Sequence, residues 1–239
     1  IGVFDGPKPI RLLKLLGRIA NLSESDIVLD FFSGSATTAH AVMQLNAEDG
    51  GKRKFIMVQL PEPCDENSEA YTAGYNNICE IGKERIRRAG KRIKDDSPLA
   101  AADLDIGFRV LKLDSSNMKD VYYTPDKYEH SLFDQLTDNI KEDRTPEDLL
   151  FQVMLDLGVL LSSKIERREV SGKTVFSVAD NFLIACFDSE ISDDVVKEIA
   201  QLTPYYAVFR DSGFATDSVA ANFEQIFATY SPSTVRRGL

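Results

Sequence analysis

The sequence feature that most constrains the fold is a short apolar run that ends at an acid and is followed by small residues. Residues 27–29 are Ile-Val-Leu, Asp30 follows, and residues 33–38 read Ser-Gly-Ser-Ala-Thr-Thr. A helix-like pattern begins near residue 37, so the stretch predicts a strand, a tight loop and a helix. Such a unit belongs to a parallel α/β sheet, in which ligands bind beyond the carboxyl ends of the strands. Asp30 and Gly34 therefore occupy a position at which a ligand would bind.

Small residues in this loop also have a purely structural explanation. Any strand-to-helix turn uses glycine and small polar side chains, because they tolerate the backbone conformations of a tight turn. Gly34 and its neighbours alone therefore leave open a packing role as well as a ligand-binding role. The lone His40 on the following helix is likewise expected to be structural rather than a catalytic base.

The remaining pattern divides the chain into two parts. Residues 1–125 contain the strand-helix unit, a second apolar strand and a further predicted strand over residues 105–113. A polar interval over residues 126–145 indicates a linker. Residues 146–239 alternate helices with strands, including a hairpin turn at Ser171-Gly172-Lys173, and this pattern predicts a smaller α/β domain. We therefore predict an α/β protein with two domains, of which the second carries no recognisable chemistry.

Composition excludes several classes of protein. The 239 residues are 43% hydrophobic and 28% charged, which supplies apolar side chains for one core or two smaller ones. No apolar run approaches the roughly 20 residues that span a bilayer, so we expect a cytoplasmic protein without membrane association. Cys64, Cys79 and Cys186 are far apart and odd in number, which argues against a disulfide framework or a zinc site. We expect no metal.

The charge distribution bears on nucleic-acid binding. A net charge of −10 argues against a self-sufficient DNA clamp, because Lys and Arg contacts to phosphates supply most nonspecific affinity. A predicted basic helix over residues 75–94 is the exception. Its basic side chains are Lys83, Arg85, Arg87, Arg88, Lys91, Arg92 and Lys94. Two interpretations stay open, a solvated basic face beside acidic neighbours and a surface that faces phosphates.

In this context the loop resembles motif I of S-adenosylmethionine-dependent DNA methyltransferases, in particular the amino-methyltransferases whose cofactor half follows the catalytic half. Lys8-Pro9, just before a predicted helix, resembles their Lys-Pro motif, and the strand that ends at Gln59 resembles their second strand. More specifically, the chain resembles the modification subunit of type III restriction-modification systems. Five segments carry this resemblance in order, namely residues 30–42, 59–62, 69–75, 82–89 and 113–117.

The resemblance implies both a fold and a site. The fold would be part of a Rossmann-like S-adenosylmethionine-dependent methyltransferase sheet, followed by a smaller α/β C-terminal domain. Lys8 and Pro9 would border the methionine end of the cofactor, and Gln59 or Glu62 would meet the ribose. The loop would cradle the amino-acid moiety through Asp30, Phe31, Phe32, Ser33, Gly34, Ser35 and Thr37.

Two positions depart from the pattern of the resembled family. Ala36 stands where its members usually have glycine, and a β-carbon there is harmless only if φ is negative and nothing passes close to it. Gln59 stands where related methyltransferases often have an acid that holds both ribose hydroxyls. A neutral amide accepts a hydrogen bond less strongly than a charged group does. We expect either departure to alter the affinity for the cofactor.

A larger departure is an absent motif. Adenine amino-methyltransferases transfer the methyl group with an Asp/Asn-Pro-Pro-Tyr/Phe motif, whose oxygens hold the exocyclic amine while the aromatic ring stacks on an extruded base. This chain contains no Pro-Pro pair, and its nearest string is Thr-Pro-Tyr-Tyr at residues 203–206. We therefore expect a carboxy-terminal fragment of a site-specific adenine-N6 DNA methyltransferase, with no catalytic residue of its own.

The resemblance also implies partners. The parent protein would act on double-stranded DNA, form a homodimer and bind a restriction subunit with helicase and nuclease activities. A noncatalytic, methyltransferase-like module that docks this restriction subunit or a second copy of itself stays open as the alternative. The missing catalytic motif, Ala36 and Gln59 favour it, whereas the matches around Asp30, Gly34 and Lys8-Pro9 oppose it.

Overall fold

A computed structural model describes residues 4, 6–99, 101–119 and 139–239 of the chain. The protein is mixed α/β and divides into two compact units, Ile1–Arg109 and Val110–Leu239. The α/β class predicted from the sequence is confirmed. The predicted linker over residues 126–145 lies largely outside the described residues, so the boundaries at 125 and 146 stay predictions.

Two parallel strands joined through a helix form the centre of the first unit. Its elements are α1 (Ile10–Ile19), β1 (Ile27–Asp30), α2 (Thr37–Asp49), β2 (Lys54–Met57), α3 (Glu69–Thr72) and α4 (Ile78–Asp96). β1 and β2 pair in parallel, with Val28 opposite Phe55 and Asp30 opposite Met57. The strand, loop and helix therefore follow the sequence prediction, and both strands end at the same edge of the sheet.

Helices cover one face of this small sheet. α2 contacts both α1 and α4, and buried side chains such as Met43 and Ile86 form a core against which Phe55 of β2 packs. On the opposite face, Leu29 and Ile56 are 56% and 50% exposed. Among the described residues nothing covers this apolar face.

The predicted strand over residues 105–113 is wrong, because these residues have no regular secondary structure. Residues at the start of this segment pack against helix α4 instead. A β-carbon placed on Gly90 of α4 would lie 2.8 Å from Cβ of Ile106, and Leu104 and Phe108 pack against the same core. The alternating apolar side chains that suggest a strand therefore pack against a helix instead.

A five-stranded mixed sheet forms the centre of the second unit. Its elements are α5 (Pro146–Asp156), β3 (Ile165–Val170), β4 (Lys173–Val178), β5 (Leu183–Cys186), α6 (Asp193–Gln201), β6 (Tyr206–Phe209), a 3₁₀ turn (Asp211–Gly213), α7 (Asp217–Tyr230) and β7 (Val235–Gly238). The strands lie in sequence order, antiparallel from β3 to β5 and parallel from β5 to β7. Ser171 and Gly172 join β3 to β4 with φ values of 45° and 77°. These positive values are those of a two-residue hairpin turn. The predicted turn is therefore confirmed at Ser171 and Gly172, whereas Lys173 belongs to β4.

Both faces of this second sheet are buried. Phe176, Val178 and Leu183 belong to a core that includes α5. Ile184 and Phe209 point to the other side and belong to a core that includes α6 and α7. The second unit therefore has a sheet between two helical layers.

Several general properties of the described residues complete this picture. No helix in these ranges is long and apolar enough to cross a membrane. Nor do they bring together three or more His, Cys, Asp or Glu side chains that could hold a metal ion. All three cysteines are free thiols, and burial raises the pKa of Cys186 to about 11, so this thiol stays protonated and unreactive at neutral pH.

The one-sided burial of the β1–β2 sheet can be tested with two isoleucines of the first unit. We expect Ile86→Ala to lower the free energy of unfolding of this unit by about 2–5 kcal/mol, because the side chain leaves a cavity in the core. Ile56→Ala should cost about 1 kcal/mol or less, since half of its side chain is already in water. Hydrogen exchange of the α2 and α4 amides in denaturant reports on this unit by itself. Equal losses in the two variants would contradict one-sided burial.

Candidate functional site

The loop that the sequence singles out lies at one edge of the β1–β2 sheet. Residues 31–36 lead from β1 into α2 and approach β2, where the Ser33 N–H donates to the Val58 carbonyl at 3.3 Å. The Val58 N–H in turn donates to the Asp30 carbonyl at 2.8 Å. The loop is therefore tied to both strands at their carboxyl ends, in front of the N-terminal N–H groups of α2.

Two residues of the loop adopt the left-handed backbone conformation. The φ angles are 53° for Gly34 and 55° for Ala36, and the Ala36 N–H closes the turn onto the Ser33 carbonyl at 2.8 Å. For a residue with a β-carbon this conformation costs about 1–2 kcal/mol. Ala36 therefore does not have the negative φ at which an alanine would be harmless in this loop. Neighbouring contacts must therefore offset strain at Ala36.

Asp30 ends β1 and turns its side chain towards the start of α2. Its Oδ2 accepts a hydrogen bond of 2.5 Å from Thr38 Oγ1. A carboxylate offers about four acceptor positions, so this bond fixes the group and leaves it able to receive a donor from a ligand. Sequence reasoning does not single out Thr38, although it follows directly on Thr37, which is buried at the start of the helix.

Gln59 lies just beyond β2 and contacts the loop directly. Its Oε1 accepts a hydrogen bond of 2.8 Å from the Gly34 N–H. At the other end of the carboxamide, Nε2 donates to the Leu60 carbonyl at 3.3 Å. The ribose contact expected of Gln59 stays a prediction, and the structure adds a second role, which is to hold Gly34.

Helix α4 contacts the loop from another direction. The Arg85 guanidinium donates to Ser35 Oγ at 2.8 Å, and burial lowers the pKa of Arg85. One turn earlier, a β-carbon on Gly82 would lie 3.4 Å from the Gly34 carbonyl oxygen and 3.5 Å from Cβ of Ala36. Sequence reasoning misses both residues as parts of the site. Their spacing of three, which places them on one face of a helix, is the signal that could have revealed them.

The other predicted site residues lie around this centre. Phe31 and Phe32 are 62% and 72% exposed, with ring centroids 5.7 Å apart. Lys8 and Pro9 are exposed immediately before α1. Glu62 is also exposed, and its backbone carbonyl accepts from the N–H at the start of α4. The structure therefore brings Asp30, the loop and Gln59 together and leaves the remaining predicted contacts at the surface.

The segment before α1 reaches the loop through Phe4. A β-carbon on Gly34 would lie 3.4 Å from Cζ of Phe4. Phe4 is therefore close to the loop, four residues before Lys8.

Four of the seven basic side chains of the basic helix lie within ion-pair distance of acids on the same helix. Lys83 is paired with Glu80, and Arg88 with Glu84 at 2.7 Å. The other pairs along this helix are Arg87–Glu84 at 3.7 Å and Arg92–Asp96 at 3.4 Å. The solvated, ion-paired interpretation of this helix is therefore favoured over a surface that faces phosphates.

Taken together, the site offers binding groups rather than reacting groups. It presents a fixed carboxylate at Asp30, backbone N–H groups at the start of α2, and two exposed aromatic rings. This combination suits a ligand with an ammonium group, a carboxylate and an apolar part.

Comparison with known proteins identifies relatives of the chain. Residues 2–90 match a family model described as DNA methylase. The StyLTI Mod subunit from Salmonella typhimurium strain LT2, a type III restriction-modification enzyme, is 49% identical over 107 residues, which are 45% of this chain and 16% of that protein. The EcoPI Mod subunit from Escherichia phage P1 is 36% identical over 190 residues, 75% of this chain and 28% of that protein. The EcoP15I Mod subunit from Escherichia coli is 34% identical over 224 residues, 88% of this chain and 31% of that protein.

The chain is a homologue of the type III modification subunits. The resemblance found in the sequence motifs is thereby confirmed. This homologue spans about one sixth to one third of the length of these relatives. The family model covers the loop, Gln59 and Arg85, all in the first unit. The 224 residues aligned with EcoP15I exceed the length of either unit, so the similarity extends over both.

His40 lies on α2 one turn beyond the loop and is held neutral by its surroundings. Burial lowers its pKa to about 4, and the positive charges of Arg85 and Arg92 act in the same direction. Its Nε2 lies 3.4 Å from the side-chain nitrogen of Gln44. These surroundings fit the structural role expected of His40.

This depressed pKa predicts a pH dependence of stability. The ordinary pKa of histidine is 6.5, so between pH 6.5 and about 4 the unfolded chain binds a proton at His40 and the folded chain does not. The contribution of neutral His40 to the free energy of unfolding is therefore fully present above pH 6.5 and is lost as the pH falls towards 4. We expect His40→Gln to flatten the fall in the free energy of unfolding over this range, as measured by urea denaturation at several pH values. Parallel profiles for the two proteins would rule out this role of His40.

Proposed function

We propose that this chain supplies the S-adenosylmethionine half-site of a site-specific adenine-N6 DNA methyltransferase in a type III restriction-modification system. The observation that carries the proposal is the braced loop at the carboxyl ends of two parallel strands, where Asp30 is fixed by Thr38 and Gly34 by Gln59. Homology to type III modification subunits supports it. A cytoplasmic location belongs to the same proposal.

The groups on the loop fit such a cofactor. When bound, S-adenosylmethionine supplies a sulfonium methyl group that is activated for transfer. Asp30 has acceptor positions left for the ammonium group of the methionine moiety, and the N–H groups at the start of α2 suit its carboxylate. Exposed Phe31 and Phe32 offer apolar surface to the rest of the ligand. In this proposal Lys8 and Pro9 border the methionine end, and Ser33, Ser35 and Thr37 shape the cradle.

The half that holds the target base lies outside this chain in our proposal. The chain contains no Pro-Pro pair and therefore no Asp/Asn-Pro-Pro-Tyr/Phe motif. An adenine must leave the duplex before its amine can be methylated, and much of the rate would come from holding that amine against the methyl group. The residues of this chain would bind and orient the cofactor, and the reaction would belong to the longer protein.

The bare face of the β1–β2 sheet supports this division. Leu29, Ile56 and Val58 are 56%, 50% and 48% exposed, and Ile27 and Leu60 are similarly exposed at 50% and 60%. A sheet face of this composition is normally buried against a second layer. We propose that the catalytic half supplies that layer, and that the assembled protein acts on double-stranded DNA, dimerises and pairs with a restriction subunit.

The same bare face favours a second candidate, a noncatalytic docking module. In that function the apolar face would bind a restriction subunit or another copy of the chain, and the loop would have no ligand. The two candidates differ in whether Asp30 is needed for binding a small molecule.

Calorimetric titration of the complete gene product with S-adenosylhomocysteine tests the cofactor site. We expect Asp30→Ala to weaken binding by about 10- to 100-fold, because a charge-assisted hydrogen bond is lost. Asp103→Ala is the matched control, since Asp103 is exposed and outside the loop. Equal affinities in wild type and Asp30→Ala would exclude the proposed cofactor site.

The division into halves is tested by the gene upstream of the codon for Ile1. We expect an in-frame Asp/Asn-Pro-Pro-Tyr/Phe motif there, and methylation of adenine by the complete product. A start codon immediately upstream, without that motif, would support the docking module instead.

A further inference from the structure

We infer that Gln59 and Arg85 are positioning residues that hold the cofactor loop from two sides, so that Gln59 acts on the cofactor through Gly34 rather than through the ribose. This inference rests on the proposed function and assigns two of its residues. It gives Gln59 a different role from the ribose contact that its place after β2 suggests.

The carboxamide of Gln59 is engaged at both ends. Oε1 accepts from the Gly34 N–H at 2.8 Å, and Nε2 donates to the Leu60 carbonyl at 3.3 Å. These two bonds fix the plane of the carboxamide and point its acceptor oxygen at the loop. A carboxylate could make the first bond but not the second, because it has no N–H to donate. The neutral amide is therefore matched to the loop.

Arg85 is unusual among the cations of α4. Lys83, Arg88 and Arg92 each pair with an acid on the same helix, whereas Arg85 donates to the neutral hydroxyl of Ser35. Burial lowers the pKa of Arg85, so its partly buried charge carries a desolvation cost. A cation held in this way at a loop indicates a role in placing that loop.

The loop needs such support because of its backbone. Gly34 and Ala36 both have positive φ, and Ala36 is strained in that conformation. Phe31 and Phe32 point largely into water, so they contribute little packing to hold the loop in place. Backbone bonds of Ser33 and Ala36 and the Thr38–Asp30 bond hold parts of the loop. The side-chain bonds from Gln59 and Arg85 add contacts at Gly34 and Ser35, between these fixed points, and keep the N–H groups in register for a ligand.

Amide hydrogen exchange tests this brace without any ligand. In Gln59→Met, which removes the acceptor at similar size, we expect the Gly34 amide to exchange about fivefold to tenfold faster, the effect of losing one hydrogen bond. Gln59→Glu keeps the acceptor and should stay within about twofold of wild type. Unchanged Gly34 exchange in Gln59→Met would overturn the role of Gln59.

Arg85 is tested by the amide of Ala36, which closes the loop onto Ser33. We expect Arg85→Met to speed its exchange by a similar factor of about five. Arg88→Met is the matched control, because it removes the same charge from the same helix where the arginine pairs with Glu84. Equal effects of the two substitutions would show that only the charge of the helix matters, and would overturn the role of Arg85.

Ligand analogues separate bracing from direct contact with the ribose. We expect Gln59→Met to weaken S-adenosylhomocysteine and its 2′,3′-dideoxy analogue by the same factor, about fivefold to tenfold, and to affect methylthioadenosine, which lacks the amino-acid part, by less than twofold. If Gln59→Met weakened S-adenosylhomocysteine but not its dideoxy analogue, Gln59 would contact the ribose directly and the inference would be overturned. If wild type binds none of these ligands, the proposed function fails, while Gly34 exchange still decides the brace.

Discussion

Parallel pairing of β1 with β2 is the constraint from which the whole candidate site follows. Because both strands run in the same direction, Asp30 at the end of one and Gln59 just past the end of the other meet at a single edge. The pairing is possible because α2 carries the chain back across the sheet. Ala39 and Met43 anchor that helix against α4 and β2. Thr38 at the start of this helix bonds the Asp30 carboxylate, so a change that moved α2 would release Asp30 from its fixed position.

The two units differ in how completely they bury their sheets. In the second unit, alternate residues of β4 and β5 enter cores on opposite sides, as Val178 and Ile184 do. In the first unit, Phe55 faces a core while its neighbour Ile56 is half exposed. In the second unit the apolar side chains on both faces of the sheet are buried, whereas in the first unit only those on one face are. This difference gives the first unit both an incomplete core and a surface suited to a further layer.

The sequence carries enough information to predict the local elements of the site but not their mutual contacts. The acid, the small residues and the helical pattern after residue 37 predict β1, the loop and α2, because each depends on neighbouring residues only. The bond from Arg85 to Ser35 joins residues 50 positions apart and has no local signature. The incorrect prediction of a strand over residues 105–113 has the same origin. Ile106 belongs to an apolar alternation typical of a strand, but it packs against Gly90 of a helix rather than against a neighbouring strand. β7 is missed because Val-Arg-Arg-Gly at residues 235–238 lacks strand-like apolar character, and β6 pairs with it nonetheless.

Charge on α4 shows how composition can mislead about a partner. Seven basic side chains between residues 83 and 94 suggest a surface for phosphates, yet Glu84 alone is within ion-pair distance of Arg87 and Arg88. A phosphate would have to replace these acids, and exchanging one exposed ion pair for another gains little free energy. The release of counterions from DNA would then be the main contribution that favours binding. A helix whose basic side chains are already paired with acids gains less from this release than a helix whose basic side chains are unpaired. Arg85 does not change this balance, since its guanidinium donates to Ser35 of the loop, so this cation of the basic helix is engaged within the protein rather than offered to a phosphate.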